Sequence, residues 1–114
     1  MRTIIAGSRE GFDYADVLCA VHECGWSVTT VISGNARGVD SLGERFANHR
    51  QIPCEIYPAN WNLHGKSAGY KRNELMATKA EALIALWDGE SRGTKHMINI
   101  AKRQGLRIYI YHSK

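Results

Sequence analysis

The residues in this sequence best placed to do chemistry are glycines and arginines gathered in four short segments. These are Gly7-Ser8-Arg9-Glu10-Gly11, Ser33-Gly34-Asn35-Ala36-Arg37-Gly38-Val39-Asp40, Pro58 to Asn73, and Trp87 to Lys95. They hold eight of the eleven glycines and seven of the fifteen basic residues. Glycine lets backbone N–H groups approach a ligand closely. A helix that starts just after such a loop adds unpaired N–H donors and partial positive charge. Arginine supplies a planar fork of donors matched to phosphate or carboxylate. Together these types specify anion binding. The expected ligand-binding residues are Gly7, Ser8 and Arg9 in the first segment, and Gly34, Ala36, Arg37, Gly38 and Asp40 in the second. Asn60, Trp61, Arg72 and Asn73 are expected from the third, and Gly89, Ser91, Gly93 and Thr94 from the fourth.

Carboxylates sit among them. Asp40, Asp88 and Glu90 are the acids or bases available to a reaction; Asp40 could also accept a ribose hydroxyl, with capping of the helix it begins the slightly favoured expectation. Trp61 could stack on a base, but packing its own segment onto the domain is the favoured expectation. His64 is an acid–base group by type and an ordinary solvated histidine by position.

Other chemistries find no pattern. Nothing matches G-x-x-x-x-G-K-[ST], and Gly7-Ser8-Arg9 is not the G-x-G-x-x-G of dinucleotide folds. The histidines lack metal-ligand spacing, so no metal and no cofactor are expected. Cys19, Cys24 and Cys54 are odd in number and read as free thiols of a reducing cytoplasm. The formal charge of +4 is mildly basic and favours anionic ligands without indicating DNA. No apolar run approaches membrane-spanning length, and Met1 to Gly7 reads as a strand rather than a signal peptide.

The elements that must position these loops alternate. Strands are predicted over Thr3–Ala6, Val28–Ser33, Pro53–Tyr57, Ala82–Trp87 and Leu106–Tyr111. Helices are predicted over Asp13–Glu23, Val39–Arg50, Tyr70–Lys79 and Thr94–Arg103. Asp13 and Thr94 are the expected N-caps, and Leu18, Val21 and His22 the inward face of the first helix. The Pro58–Gly69 stretch is expected to be a functional loop. Alternation of this kind implies right-handed crossovers and a five-stranded, mainly parallel sheet between helix layers, in order 3-2-1-4-5. The expectation is one α/β, Rossmann-like three-layer domain over residues 1–114. All four Gly-rich segments then leave the C-terminal edge of the sheet, where open α/β sheets bind ligands.

These ordered motifs resemble the SLOG superfamily. The matching residues are Gly7-Ser8-Arg9, Ser33 to Asp40, Pro58-Ala59-Asn60-Trp61 with Gly65, Ala68-Gly69 and Arg72-Asn73, and Asp88-Gly89-Glu90-Ser91-Arg92-Gly93-Thr94-Lys95-His96-Met97-Ile98. The likeness is greatest to the small YspA/YpsA-related branch, relatives of the LOG phosphoribohydrolases and of the DNA-processing protein DprA. It implies recognition of a nucleotide or nucleotide-derived signal, and a bacterial or phage source. In LOG enzymes a PGGxGTxxE motif carries the catalytic Glu. That position falls on Met97 here, whose thioether can neither take a proton nor stabilise an oxocarbenium-like centre.

The leading expectation is therefore a sensor or sequestering module for a nucleotide-like small molecule. N-glycosidic hydrolysis of a nucleotide is the alternative, and single-stranded nucleic-acid binding ranks last. Whether Trp26, Tyr109 and Tyr111 serve a homo-oligomer, the core or plain surface stays open. No membrane association is expected.

Overall fold

In the computed structural model, which describes residues 1–112, short apolar runs become five strands, of which the central three are buried on both faces and the two at the sheet edges are only partly covered. They are β1 (Arg2–Gly7), β2 (Thr30–Ser33), β3 (Cys54–Ile56), β4 (Ala82–Trp87) and β5 (Arg107–His112). Such continuous apolar strands suit a parallel sheet covered by helices. The five strands form one sheet in order β3-β2-β1-β4-β5, and every neighbouring pair is parallel. Fold class and strand order are as the sequence implied.

The helices are α1 (Tyr14–Glu23), α2 (Val39–Arg50), α3 (Trp61–His64), α4 (Ala68–Lys79) and α5 (Arg92–Arg103). Alternate residues of each strand point to opposite faces. Ile4, Ala6, Leu83 and Ala85 pack with Met76 and Ala77 of α4 and with Met97, Ile98 and Ala101 of α5. Ile5, Val31, Ile84 and Leu86 pack with Val17 and Ala20 of α1 and with Val39, Phe46 and Ala47 of α2. The chain runs from β1 outward to β3, returns across the sheet to β4, and continues to β5. Right-handed crossovers make that reversal of direction also a change of face, which is why α1 and α2 cover one side and α4 and α5 the other. No helix among the described residues is long and apolar enough to cross a membrane.

Several boundaries and roles differ from expectation. The inward face of α1 is Val17, Ala20, Val21 and Cys24, the i, i+3, i+4, i+7 set. Leu18 and His22 are exposed, one step off that stripe. Asp13 is the N-cap as expected, in a reciprocal capping box with Asp16 (3.0 and 2.9 Å). Asp40 does not cap α2. The N-cap is Gly38, without a side-chain bond, and Asp40 lies inside the first turn. Thr94 is not the cap of α5 either. Ser91 is, its hydroxyl accepting from the Thr94 amide (3.5 Å), so the helix begins at Arg92. The expected Pro58–Gly69 loop contains α3, a 3-10 turn over Gly65–Ser67 and the first two residues of α4. Asn60 starts this ordering by accepting from the Leu63 amide (3.0 Å). β2 is shorter at its start than the apolar run suggested, and β3 and β5 shift by a residue at their ends.

Candidate functional site

The site is built on a clamp between three loops. Ser8, directly after β1, is buried. Its amide donates to the Leu86 carbonyl (3.0 Å), its hydroxyl accepts from the Asp88 amide (3.2 Å), and its carbonyl accepts from Val39 N (3.3 Å). The first, second and fourth segments are thereby locked together. Two glycines permit it. A Cβ on Gly7 would fall inside contact distance of the Leu86 carbonyl and 2.9 Å from Val39 Cγ2. Gly38, at φ +81°, brings α2 so close that a Cβ would lie 2.5 Å from the Arg9 carbonyl oxygen.

Above this clamp lies an open cleft of about 600 Å³. Ala6, Met76 and Met97 give it an apolar floor, and Arg9, Arg37, Lys66 and Arg72 contribute its cations. Of the residues singled out from sequence, Gly7, Ser8, Arg9, Ala36, Arg37, Asp40, Trp61, Arg72, Asn73, Ser91, Gly93 and Thr94 line it, as does Asp88. Gly34 instead lines a smaller recess alongside. Asn60 borders a third, shallow one, and its side chain is occupied in starting α3. Gly38, Gly89 and Glu90 are not among the lining residues. Gly38 serves backbone approach, while Gly89 and Glu90 are exposed.

Glu10, Lys66, Gly69, Tyr70 and Met76 also line the cleft, though none was among the expected binding residues. For α4 the signal was present. Once the helix is known to begin at Ala68, Gly69, Arg72, Asn73 and Met76 fall at i, i+3, i+4 and i+7, on one face. Starting it at Tyr70 hid that face.

Arg72 is the most constrained cation. Its Nε donates to Asn73 Oδ1 (3.0 Å) and its Nη1 to the Gly34 carbonyl. Partial burial pulls its pKa down, and the nearby Asp40 charge opposes that. Asn73 is itself held from α5, with Nδ2 near the Gly93 carbonyl (3.4 Å) and His96 Nδ1 (3.2 Å). Arg9 and Arg37 are exposed, and among the described residues neither forms an ion pair. The one salt bridge there, Arg2–Glu55 (2.7 Å), involves the start of β1, away from the cleft.

The three acids separate by environment. Asp40 is 6% exposed and accepts from the Ala36 amide (3.2 Å). Burial pushes its pKa up to about 6, against the pull of that amide and of Arg72. Asp88 is a turn former. Its Oδ1 accepts from the amides of Glu90 and Ser91 (both 2.8 Å), which lowers its pKa. Those amides, and that of Thr94, are therefore not free for a ligand. The fourth segment's cradle narrows to the first-turn amides of Arg92 and Gly93. Trp61 lies at the cleft margin, 56% exposed, with its ring edge within contact range of a Cβ built on Gly69 of α4 (3.7 Å).

Comparison with known proteins agrees with this picture at family level. The profile of YAcAr, described as the YspA, cpYpsA-related SLOG family, matches residues 1–64. The chain is 32% identical to the Gene 61 protein of Mycobacterium phage D29, over 99% of this chain and 98% of that protein. No solved structure matches it.

Proposed function

The chain belongs to the YspA, cpYpsA-related SLOG family, and from that premise we propose that it binds a nucleotide or nucleotide-derived, phosphate-bearing ligand in the cleft, as a sensor or sequestering module. One observation carries the reading. Arg9, Arg37 and Arg72 converge without ion-pair partners among the described residues, above a floor of Ala6, Met76 and Met97. Unpaired guanidinium groups call for an anion, and the apolar floor suits a ring. The cleft volume lies within the about 300–1,000 Å³ typical of small-molecule sites.

Calorimetric titration with a panel of nucleotides tests it. Arg37→Ala and Arg72→Ala should each weaken the best ligand by about tenfold or more, the scale of one charged hydrogen bond. Unchanged affinity in both variants would remove the assignment.

A second reading, hydrolysis of an N-glycosidic bond, is favoured by Asp40 alone. A cleft carboxyl that titrates near 6 is suited to acid–base work. Asp88 is committed to its turn, and Glu90 lies outside the lining. Met97, at the position of the LOG-type Glu, is buried in the floor and supports binding over turnover. Release of free base from nucleoside monophosphates, lost in Asp40→Asn, would favour hydrolysis.

A further inference from the structure

The recess beside the cleft measures about 370 Å³. Arg9, Ala36, Arg37, Trp61 and Arg72 line both spaces. Residues common to two adjoining cavities stand at their boundary, so the three arginines form a waist between two lobes. Beyond the waist the lobes are unlike. The larger has the apolar floor already described. The smaller is walled by the Gly34–Asn35 turn and by Pro58 and Ala59, and adds no cation of its own.

Three of the four cations of the composite site thus stand in its middle, and the fourth, Lys66, lies in the larger lobe alone. A mononucleotide has its phosphate at one end, so it would fill one lobe and leave the other open. The complementary shape is a molecule with its phosphates in the middle and a ring at either end. Arg72 can serve such a bridge directly. Of a guanidinium's five N–H donors, Nε and one on Nη1 are used internally, and the rest remain available. The exposed Trp61 indole borders both lobes and offers an apolar face to a ring in either.

We propose that the site takes a two-ended ligand, two ring-bearing groups joined through a diphosphate bridge, with the bridge held at Arg9, Arg37 and Arg72. This rests on the nucleotide-binding reading above and names the ligand class within it. The second ring belongs to a sugar or to a second nucleoside, and the ligand series below separates the two.

The test is calorimetric titration of the full chain with four matched sets, one for each common base. Each set comprises the nucleoside monophosphate, the nucleoside diphosphate, a nucleoside diphosphate sugar and the dinucleoside diphosphate. In the best set, one of the two-ended members should bind at least tenfold more tightly than the diphosphate. Ala59→Trp, which fills the smaller lobe, should bring that member down to the diphosphate's affinity. Circular dichroism and thermal melting would verify that the variant is folded. In the wild type, the two-ended ligand should also quench fluorescence that is absent from Trp61→Phe. If monophosphate or diphosphate binds as tightly as every two-ended member, the two-lobe proposal is overturned while nucleotide binding stands. If no member of any set binds, both are overturned.

Discussion

Asp40 lines the cleft but does not play the capping role expected of it. Its type and position after Gly38 suggested a cap, yet it sits inside the first turn of α2, buried against the Ala36 amide and close to Arg72. Burial depends on what the third segment folds over, and nothing local in the sequence encodes that. The consequence is a pH dependence of stability. The folded-state pKa is raised from 3.8 to about 6, so the folded protein holds this proton more tightly than the unfolded chain. The contribution to stability is greatest below the unfolded value, and it is lost as pH rises through about 6. At about 1.4 kcal/mol per pKa unit, the loss is at most about 3 kcal/mol. Asp40→Asn keeps an acceptor for Ala36 and removes the charge. Its denaturant stability should exceed that of wild type by about 1–3 kcal/mol at pH 7.5 and converge with it near pH 4. Parallel pH profiles for the two proteins would show that Asp40 is not the group responsible.

At the scale of elements, the long aliphatic strands were the most legible part of the chain, and helix starts the least. β4 and α2 have the bounds their hydrophobic patterns predict. α4 and α5 each begin two residues earlier than expected: α4 opens on the small residues Ala68 and Gly69, and α5 is started by the Ser91 cap rather than by an apolar residue. The start of α5 matters most, since it sets which amides face the cleft. With Ser91 as the cap, the Thr94 amide is satisfied and those of Arg92 and Gly93 are left at the helix end. Ser91→Ala should therefore cost about 0.5–2 kcal/mol, lowering Tm by several degrees for a chain of this size. Thr94→Val, which preserves shape, should cost less. Thr94 Oγ1 bonds the Ser91 hydroxyl (3.1 Å) rather than a backbone donor. The reverse ranking in thermal melting would restore Thr94 as the cap.

On the scale of the whole molecule, one topological event locates the site. Where the chain reverses direction between β1 and β4, consecutive loops leave on opposite faces and the C-terminal edge opens. That much follows from alternation and crossover handedness, which is why the cleft's edge, and thirteen of its lining residues, were singled out from the sequence. The floor residue Met76 and the ordered third segment were not, because they depend on how α3 and α4 pack over that edge. The same layout separates what charge does for folding from what it does for binding. Among the described residues one ion pair stabilises the fold, and it is partly exposed, so screening it costs little. The cleft cations Arg9, Arg37 and Lys66 are exposed and unpaired there, so an anionic ligand meets them through solvent-accessible space. Raising salt from 0.1 to 1 M shortens the screening length from about 10 to about 3 Å. Affinity for a phosphate-bearing ligand should accordingly fall severalfold over that range, while the Tm of the free protein moves by no more than a few degrees. A salt-independent affinity would mean that the half-buried Arg72 and the Arg92–Gly93 amides hold the anion without help from the exposed rim.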